Sequence, residues 1–589
     1  MINYKLHAHS FHIPVMGLGY TIDSPVKVAQ YGISSVVSLA EDILIEKMRE
    51  FYCTKLDIPF QEISDKIEDF RAKRITAYLN LMDKMVKEKF EELKNSIQKK
   101  GSEFEKYMEM LPDASSIKQK FNQFKEQPSG TLLAWIQEHL HMGSIDVNIM
   151  TKLDKENYKD GEKLPSEYND AHAALRGFAE SNLSSSIVFS AGMSPRLYSY
   201  VEKFKDFFPD ETGNIKKKII LKVSDYRSAL VQGKMFAKKG LWVSEYRVES
   251  GLNCGGHAFA TQGYLMGPIL EEFKNNRQAL IQTLFEMYSQ ALKDQVRVCP
   301  EIAPEFKITA QGGVGTAEEH EFLIDYYGLD SVGWGSPFLL VPEASNVDEE
   351  TLKLLCKGSE KDYYLSGISP LGVPFNSIHG TSKDIEKMEH VHDGSPGAAC
   401  SKRFLVFNTE FSERPICTSS KSFQKQKIKQ LDEKQLPDLE YQKEYNKIVE
   451  KACLCVGLGS SVLMVNHISM INHGKGVTIC PGPNLAYFDE TYTLKQMIDH
   501  IYGRKNVMKH ANRPHMFVNE LQMYVDYLKE KLDESVTPIA EKQMEYFRLF
   551  QKNLNEGITY YRNLFANSLS QTKIFADLER LEKQLNGVI

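Results

Sequence analysis

The fold is decided by a strand-and-glycine segment, Phe306-Lys307-Ile308-Thr309-Ala310-Gln311-Gly312-Gly313-Val314-Gly315-Thr316. A second segment of the same kind, Gly333-Trp334-Gly335-Ser336-Pro337-Phe338, follows about twenty residues later, with a helical pattern between the two. In each segment a short apolar run typical of a strand precedes the glycines. Backbone N–H groups can approach an anion where no Cβ obstructs them, and a helix N-terminus adds partial positive charge. The two segments therefore predict a phosphate-bearing ligand at the carboxyl end of a parallel barrel.

Runs rich in β-branched residues recur along the chain, and each is followed by a helical pattern. Strands are predicted at 12–18, 34–39, 145–151, 185–190, 218–223, 241–248, 306–310 and 331–334. Alternating strands and helices predict a parallel sheet, and runs that are apolar nearly throughout indicate strands covered on both faces. Eight such units favour an α/β fold with a closed (β/α)₈ TIM barrel over an open sheet.

The barrel does not account for the whole chain. We predict the barrel at 1–382, interrupted by a helical insertion at 44–142, then a Cys-containing region at 383–485 and a helical region at 486–589 with a break at Gly557. The insertion carries apolar residues at a 3.6-residue period, as an amphipathic helix does. Two interpretations of it are open: a helical pair that covers the barrel, and a lid or partner-binding arm.

Composition narrows the choice of partners. The chain has 589 residues, of which 42% are hydrophobic and 25% charged, and a net charge of −6. This weak acidity gives no support to nucleic acid or a membrane as a principal partner. The first ten residues lack the basic and apolar pattern of a secretory signal, and no apolar run is long enough to span a membrane. With nine cysteines expected as reduced thiols, we expect a cytoplasmic protein with a small-molecule substrate, one that associates with itself through its helical additions.

Six motifs of the barrel segments resemble the nitronate monooxygenase (2-nitropropane dioxygenase) family of FMN-dependent TIM-barrel oxidoreductases, which is related to flavin-dependent enoyl-ACP reductases. The resemblance covers roughly 12–43 and 143–382. The motifs are Pro14-Val15-Met16-Gly17, Val147-Asn148, Ser250-Gly251-Leu252-Asn253-Cys254-Gly255-Gly256-His257, Ala310-Gln311-Gly312-Gly313-Val314, Gly335-Ser336-Pro337-Phe338-Leu339 and Leu371-Gly372-Val373-Pro374.

The resemblance implies an FMN site at the mouth of the barrel. It assigns the phosphate to two pairs of small residues, the isoalloxazine ring to the first, third and fifth strands, and acid–base chemistry to His257. A neutral imidazole suits proton removal next to a nitro group near pH 7. The cofactor-binding positions that it implies are Met16, Gly17, Asn148, Lys222, Gly255, Gly256, Gly312, Gly313, Gly335 and Ser336.

Three departures from the family pattern limit what can be carried over. Ser250 stands where the family has Gln, Asn253 where it has Glu, and Pro337 where it has Arg. The last change removes one cationic contact to the phosphate. We therefore expect nitronate-monooxygenase-like chemistry. Two alternatives stay open: a flavin-dependent reductase of an activated C=C bond, and a non-catalytic flavin-binding or partner-binding scaffold.

Five cysteines crowd into the region after the barrel: Cys400, Cys417, Cys453, Cys455 and Cys480. Four thiolates can bind a [4Fe–4S] cluster or a zinc ion. Their gaps are irregular and no Cys-x-x-Cys occurs, so burial as small hydrophobic side chains is the competing interpretation. An iron–sulfur cluster would favour the reductase alternative, because it could supply electrons to a flavin.

Overall fold

The computed structural model describes residues 8–97, 100–190, 192–254, 262–471, 474–509, 512–535, 539–567 and 571–588. Within them, eight parallel strands close into a barrel in which each strand pairs with its neighbours in the chain and the last pairs with the first. The strands are β1 Phe11–Ile13, β2 Ser34–Ser38, β3 Ile145–Ile149, β4 Ser186–Phe189, β5 Lys218–Val223, β6 Val243–Glu249, β7 Lys307–Gln311 and β8 Ser331–Gly333. The predicted α/β barrel and its eight strands are confirmed.

The first strand is shorter than predicted. It ends at Ile13, and the next residue is Pro14, which has no N–H to donate to a ladder. The chain then turns through Gly17, whose φ of 123° lies in a region that side-chain-bearing residues rarely adopt. Residues 14–18 are therefore a loop at the mouth of the barrel rather than the end of a strand.

The barrel interior is packed in layers. Val15, Val36, Val188 and Ile220 form an aliphatic cluster across it. On β6, inward side chains alternate along the strand, and Arg247 donates to Glu245 at 2.8 Å in a buried pair. The next inward position on this strand is Glu249, at the carboxyl end. A filled interior with polar groups at that end is what a barrel with a site at its mouth requires.

Helices surround the barrel. In chain order these are Ser24–Val28, Asp42–Lys55, Asp170–Ala179, Pro195–Val201, Tyr226–Ala237, Met266–Asp294, Ala317–Asp325 and Glu349–Lys357. Five 3₁₀ turns join them, at Ala29–Tyr31, Thr151–Leu153, Ser166–Tyr168, Lys205–Phe207 and Ser336–Leu340. An exposed hairpin pairs Tyr158–Lys159 with Glu162–Lys163, and a second hairpin, Tyr363–Ser366 with Phe375–Ile378, follows the barrel.

The insertion between β2 and β3 forms helices on the flank of the barrel. Its long helix, Phe70–Asn95, packs against Asp42–Lys55 and Asp170–Ala179. A Cβ on Gly177 would lie 2.8 Å from the carbonyl oxygen of Ala72, so the two helices meet where a glycine allows close approach. This packing favours the interpretation that the insertion covers the barrel. The shorter helices are Glu103–Met110, Ser116–Glu126 and Gly130–His139.

The region after the barrel is more helical than the sequence pattern predicts. The helices are Ser382–His392, Lys421–Asp432, Asp438–Val449, Leu454–Val465, Leu494–Ile501, Met516–Asp533, Glu541–Leu564 and Gln571–Asn586, with a 3₁₀ turn at Pro483–Tyr487. The predicted break at Gly557 is wrong, because the helix runs through it to Leu564. A Cβ there would lie 2.4 Å from Leu265 Cδ1, so this glycine serves close packing.

Buried hydrophobic side chains from the barrel, the insertion and the C-terminal helices belong to one continuous cluster. In the described part of the chain, no single helix is long and apolar enough to cross a membrane. The bent pair Asp438–Val449 and Leu454–Val465 reaches that length and composition only when its two helices are taken together.

Candidate functional site

A cavity opens at the carboxyl ends of the barrel strands. It holds about 1110 Å³ of empty space, its opening included. Strand ends and the loops after them form its floor, and the region after the barrel forms its roof. The floor residues are Val15, Gly17, Leu18, Ser38, Ala40, Asn148, Met150, Lys152, Leu153, Ser190, Lys222, Glu249 and Asn253; the roof residues are Leu371, Phe375, Phe404, Leu405, Leu454, Cys455, Leu458 and Cys480. Among the described lining residues, none comes from the insertion at 44–142.

Glu249 organises the polar side of the floor. Its Oε1 lies 2.9 Å from Lys222 Nζ, and it accepts hydrogen bonds from Asn253 Nδ2 at 2.7 Å and Gln311 Nε2 at 2.5 Å. Lys222, which was predicted to bind the cofactor, lines the cavity, and its charge is balanced by a carboxylate that the prediction omitted. The signal for Glu249 is positional, because it ends β6 beside the carboxyl end of β5.

Asn148 supplies an unused acceptor. Its side chain is 3% exposed, and its Oδ1 has no hydrogen-bond partner among the described residues. A buried carbonyl oxygen without a donor costs about 1–3 kcal/mol. Because Asn148 also lines the cavity, a ligand with an N–H or O–H group would remove this cost. Asn148, which was predicted to bind the cofactor, thus lies in the cavity wall; its role in binding stays a prediction.

The roof is fixed to the barrel by close backbone contacts. Gly19 N donates to Leu458 O at 2.9 Å, and the Tyr20 hydroxyl donates to Thr478 O at 2.7 Å. Lys402, which is buried, pairs with Glu41 at 2.5 Å and donates to Cys455 O at 3.1 Å. Removing one partner of such a buried charge pair strongly destabilises the folded protein, because the other charge is left without compensation. The cavity is therefore formed jointly by the barrel mouth and the region after the barrel.

The four predicted phosphate positions lie on neighbouring strand ends, since Gln311 pairs with Gly333. Gly312 and Gly313 have φ values of 110° and 87°. Their surfaces, however, are covered by the protein's own chain. A Cβ on Gly312 would lie 3.0 Å from Asn253 N, and one on Gly313 would lie 2.7 Å from Leu252 Cδ1.

Gly335 and Ser336 are covered in the same way. A Cβ on Gly335 would lie 3.2 Å from Cys254 Cβ, and Ser336 Oγ accepts a hydrogen bond from Gly482 N at 2.9 Å. The segments around Cys254 and Gly482 therefore stand between these positions and the cavity. The four small residues are gathered as predicted, but they do not line the cavity that Asn148 lines.

Gly313 instead borders a second cavity, which Leu252 also lines and which holds about 1320 Å³ of empty space, its opening included. Tyrosines and three carboxylates, Glu360, Asp526 and Glu530, contribute to its lining. Burial raises the pKa of both Asp526 and Glu530. The negative charge of these side chains disfavours a phosphate in the second cavity.

The remaining predicted cofactor positions divide into three groups. Gly17 lines the cavity. Met16 is fully buried, with 0% exposure, and packs in the core instead of lining the cavity. Gly255, Gly256 and His257 lie outside the described residues. The acid–base role of His257 stays a prediction.

The five cysteines do not form the predicted metal site. Among the described residues, which include all five, no three or more His, Cys, Asp or Glu side chains are arranged to hold a metal ion. The iron–sulfur or zinc prediction is therefore not supported. Cys480 faces Cys254, whose thiol donates to the Cys480 carbonyl at 2.9 Å. Cys400, Cys417, Cys453 and Cys455 pack in a hydrophobic cluster that also contains the roof residues Phe404 and Leu454, as the competing interpretation predicts.

These four cysteines associate as pairs. A hydrogen bond with Cys417 lowers the pKa of Cys400 and raises that of Cys417. A hydrogen bond with Cys455 lowers the pKa of Cys453 to about 6 and raises the pKa of Cys455. Within each pair, the thiol with the lowered pKa is the more acidic of the two, and Cys455 also lines the cavity. The sequence shows that these cysteines lie close together along the chain, but it does not show which of them form pairs.

Comparisons with known proteins give remote similarities. No family model matches the chain, and no curated protein matches it. Among solved structures, the chain is similar to the enoyl reductase domain of MlnA from the macrolactin biosynthesis cluster of Bacillus amyloliquefaciens, with a TM-score of 0.38 and 12% identity over 90% of this chain and 97% of that chain. FabK from Thermotoga maritima gives a TM-score of 0.35 and 12% identity over the same shares of each chain.

A nitroalkane oxidase from Streptomyces ansochromogenes gives a TM-score of 0.34 and 8% identity over 86% of this chain and 97% of that chain. Similarities this remote carry no argument about chemistry. The barrel is shown by the strand order of the chain itself.

Proposed function

We propose that the protein is an FMN-dependent oxidoreductase whose isoalloxazine ring occupies the cavity at the barrel mouth. The observation that carries this proposal is the buried Asn148 Oδ1, which lacks a donor among the described residues and lies in the wall of an otherwise largely apolar cavity. Apolar walls with a few convergent polar groups are typical of cofactor sites. A flat aromatic ring with one polar edge matches this distribution.

The residues fit the ring end of FMN directly. The pyrimidine edge of the ring carries one N–H group between two carbonyls, so Asn148 would accept from the N–H and Lys222 would donate to a carbonyl. The apolar roof, which includes Leu458, Phe404 and Leu454, would cover the ring. The chemistry that FMN supplies when bound is the acceptance and donation of a hydride.

The phosphate of FMN would fit only after the segments around Cys254 and Gly482, which cover the predicted phosphate positions, had moved. Gly312, Gly313, Gly335 and Ser336 would bind the phosphate through their N–H groups, as the family resemblance implies. The hydrogen bond from Gly482 N to Ser336 Oγ would then exchange for one to phosphate. Such an exchange replaces a neutral hydrogen bond with charge-assisted ones, which are about twice as strong.

Two chemistries are consistent with this cavity. The first is nitronate-monooxygenase-like, with His257 removing the proton next to a nitro group. The second is reduction of an activated C=C bond, and a specific observation favours it. The roof carries Phe375, Phe404 and Leu405 in addition to the leucines near the ring, and this apolar surface suits an acyl chain. In both, the roof excludes water from the reacting atoms.

Purified protein titrated with FMN tests the proposal, with nitroalkane-dependent oxygen uptake and enoyl-thioester-dependent NAD(P)H oxidation as the two activity assays. Oxygen uptake that His257→Ala abolishes supports the first chemistry. Loss of NAD(P)H upon addition of an enoyl thioester supports the second. FMN binding with neither activity favours the scaffold alternative. If the wild-type protein does not bind FMN, the proposed function is wrong.

A further inference from the structure

A loop in the roof of the cavity begins and ends with a cysteine. This roof loop, residues 400–417, carries Phe404 and Leu405, both of which line the cavity. Its Lys402 pairs with Glu41, which lies just after β2. A covalent link between the two ends of the roof loop would therefore restrain the surface that covers the cavity.

Backbone hydrogen bonds on both sides keep the two ends of the roof loop together. Just outside it, the N–H and the carbonyl of Ala398 bond to residues 419–421 of the opposite segment, at 2.9 and 3.1 Å. Inside it, Asn408 and Ile416 exchange two hydrogen bonds, of 3.1 and 2.8 Å. Across this narrow base the thiols of the two terminal cysteines are hydrogen-bonded to each other.

The two thiols of this pair differ in burial and in acidity. Cys417 is 3% exposed, and its sulfur lies 3.1 Å from Ser419 Oγ, whereas Cys400 is half-buried. The hydrogen bond from Cys417 lowers the pKa of Cys400 against the effect of burial, with smaller contributions from the N–H and the guanidinium of Arg403. The thiolate is the nucleophilic form of cysteine, so the more acidic thiol is also the less buried one.

This combination distinguishes the pair from the other thiols. Redox-sensitive cysteines are acidic and accessible, and a second thiol next to them completes the disulfide. Cys299 is also half-buried, but among the described residues its sulfur is hydrogen-bonded only to backbone carbonyls. Cys453 is acidic and has Cys455 beside it, but both are buried.

We propose that Cys400 and Cys417 are a redox site at which a hydroperoxide, such as hydrogen peroxide, forms a reversible disulfide that restrains the roof loop. In the first step the Cys400 thiolate attacks a peroxide oxygen, the O–O bond breaks, hydroxide or alkoxide leaves, and Cys400 becomes a sulfenic acid. In the second step the Cys417 sulfur attacks the sulfenic sulfur, and the hydroxyl group leaves with the Cys417 proton as water. Two electrons thus pass from the two sulfurs to the peroxide, and a dithiol reductant reverses the reaction. No step depends on a bound flavin.

Tryptic peptide mapping of the full-length protein tests the site. Trypsin cleaves after Lys402 and Arg403, which places Cys400 in the peptide 388–402 and Cys417 in the peptide 404–421. Protein treated with hydrogen peroxide and then alkylated should yield these two peptides joined, and dithiothreitol should release them. Absence of the joined peptides, or a disulfide between other cysteines instead, overturns the inference.

Cys417→Ser separates the two steps. Serine keeps a hydroxyl donor beside Cys400 but cannot form a disulfide, so Cys400 should remain a sulfenic acid and give several-fold more dimedone adduct than in the wild type. Cys299→Ser is the matched control, because it removes a half-buried thiol that is not hydrogen-bonded to a second thiol among the described residues. It should leave the joined peptides unchanged, and a dimedone adduct at Cys299 equal to that at Cys400 contradicts the proposal. If Cys417→Ser does not fold, the wild-type peptide map decides alone.

Proteolysis of the native protein tests the restraint on the roof loop. Arg403 is exposed, and trypsin cleaves after it when the roof loop opens locally. Cleavage at this bond, measured by mass spectrometry after reduction, should be several-fold slower in the oxidised wild type than in the reduced wild type. The same peroxide treatment should leave the cleavage rate of Cys417→Ser unchanged. Equal rates for the oxidised and reduced wild type would show that the disulfide does not restrain the loop.

Discussion

Replacing Asn148 with Leu should change protein stability and flavin affinity in opposite directions. In the flavin-free protein, Asn148 Oδ1 is buried without a donor among the described residues, which costs about 1–3 kcal/mol. Leucine has a similar branched shape and no polar atom. We therefore expect Asn148→Leu to raise the free energy of unfolding of the flavin-free protein by about 1 kcal/mol. Such a gain at the expense of function is typical of a binding site.

The same substitution removes the acceptor that we propose for the flavin N–H. A hydrogen bond of this type contributes about 0.5–1.5 kcal/mol, so the Kd for FMN should rise by up to about tenfold. Urea unfolding measures the first effect, and quenching of FMN fluorescence measures the second. A less stable variant, or one with undiminished FMN affinity, would refute the reasoning.

Ser185→Ala is the control for both measurements. Ser185 Oγ is also buried without a partner among the described residues, but Ser185 precedes β4, at the end of the barrel opposite the cavity. Its replacement should leave FMN affinity unchanged.

Three further predictions follow from individual contacts. Gly143→Ala places a Cβ 2.0 Å from a backbone carbonyl oxygen, so it should lower the free energy of unfolding in urea by about 3 kcal/mol. The control is Gly130→Ala, whose Cβ meets nothing within 4 Å and which should stabilise the protein slightly in the same assay. Burial raises the pKa of Glu520 from 4.5 to about 7. The native state then holds a proton that the unfolded chain loses, so stability should fall by roughly 3 kcal/mol as pH rises from about 4.5 to 7, and Glu520→Gln should abolish this slope. Brief alkylation with iodoacetamide should label Cys400 before Cys417, because hydrogen bonding lowers the pKa of Cys400 and raises that of Cys417; mass spectrometry showing the reverse order would contradict the pairing.

The barrel could be predicted from sequence because its signal is local and repeated. Each strand is a short run rich in β-branched residues and followed by a helix, and all but the first lie within two residues of their predicted bounds. Gly557 shows the limit of local reasoning. Glycine is a helix breaker by propensity, but here Leu265 packs against the space that the absent side chain leaves. Only the tertiary contact distinguishes the two roles.

The floor of the candidate site could be predicted in part from the sequence, because its signal is also local. Asn148 and Lys222 lie near the ends of β3 and β5, where the alternation of a barrel strand fixes which side chains face inward; Gly17 lies in the loop after β1. The roof was not predictable, because residues such as Phe404 and Leu458 reach the cavity through long-range packing that leaves no periodic pattern. The cysteine prediction failed because thiol spacing along the chain does not specify a common centre.

Binding of FMN at the barrel mouth is tested most directly by an equilibrium titration of the full-length protein alongside Leu458→Trp. Leu458 lines the cavity and lies 3.7 Å from the position of a Cβ on Gly17, so a tryptophan there would fill the space proposed for the ring. We predict one FMN bound per wild-type chain, with quenched flavin fluorescence, and loss of binding in Leu458→Trp. Unchanged fluorescence with the wild type, or undiminished binding by Leu458→Trp, would contradict the account.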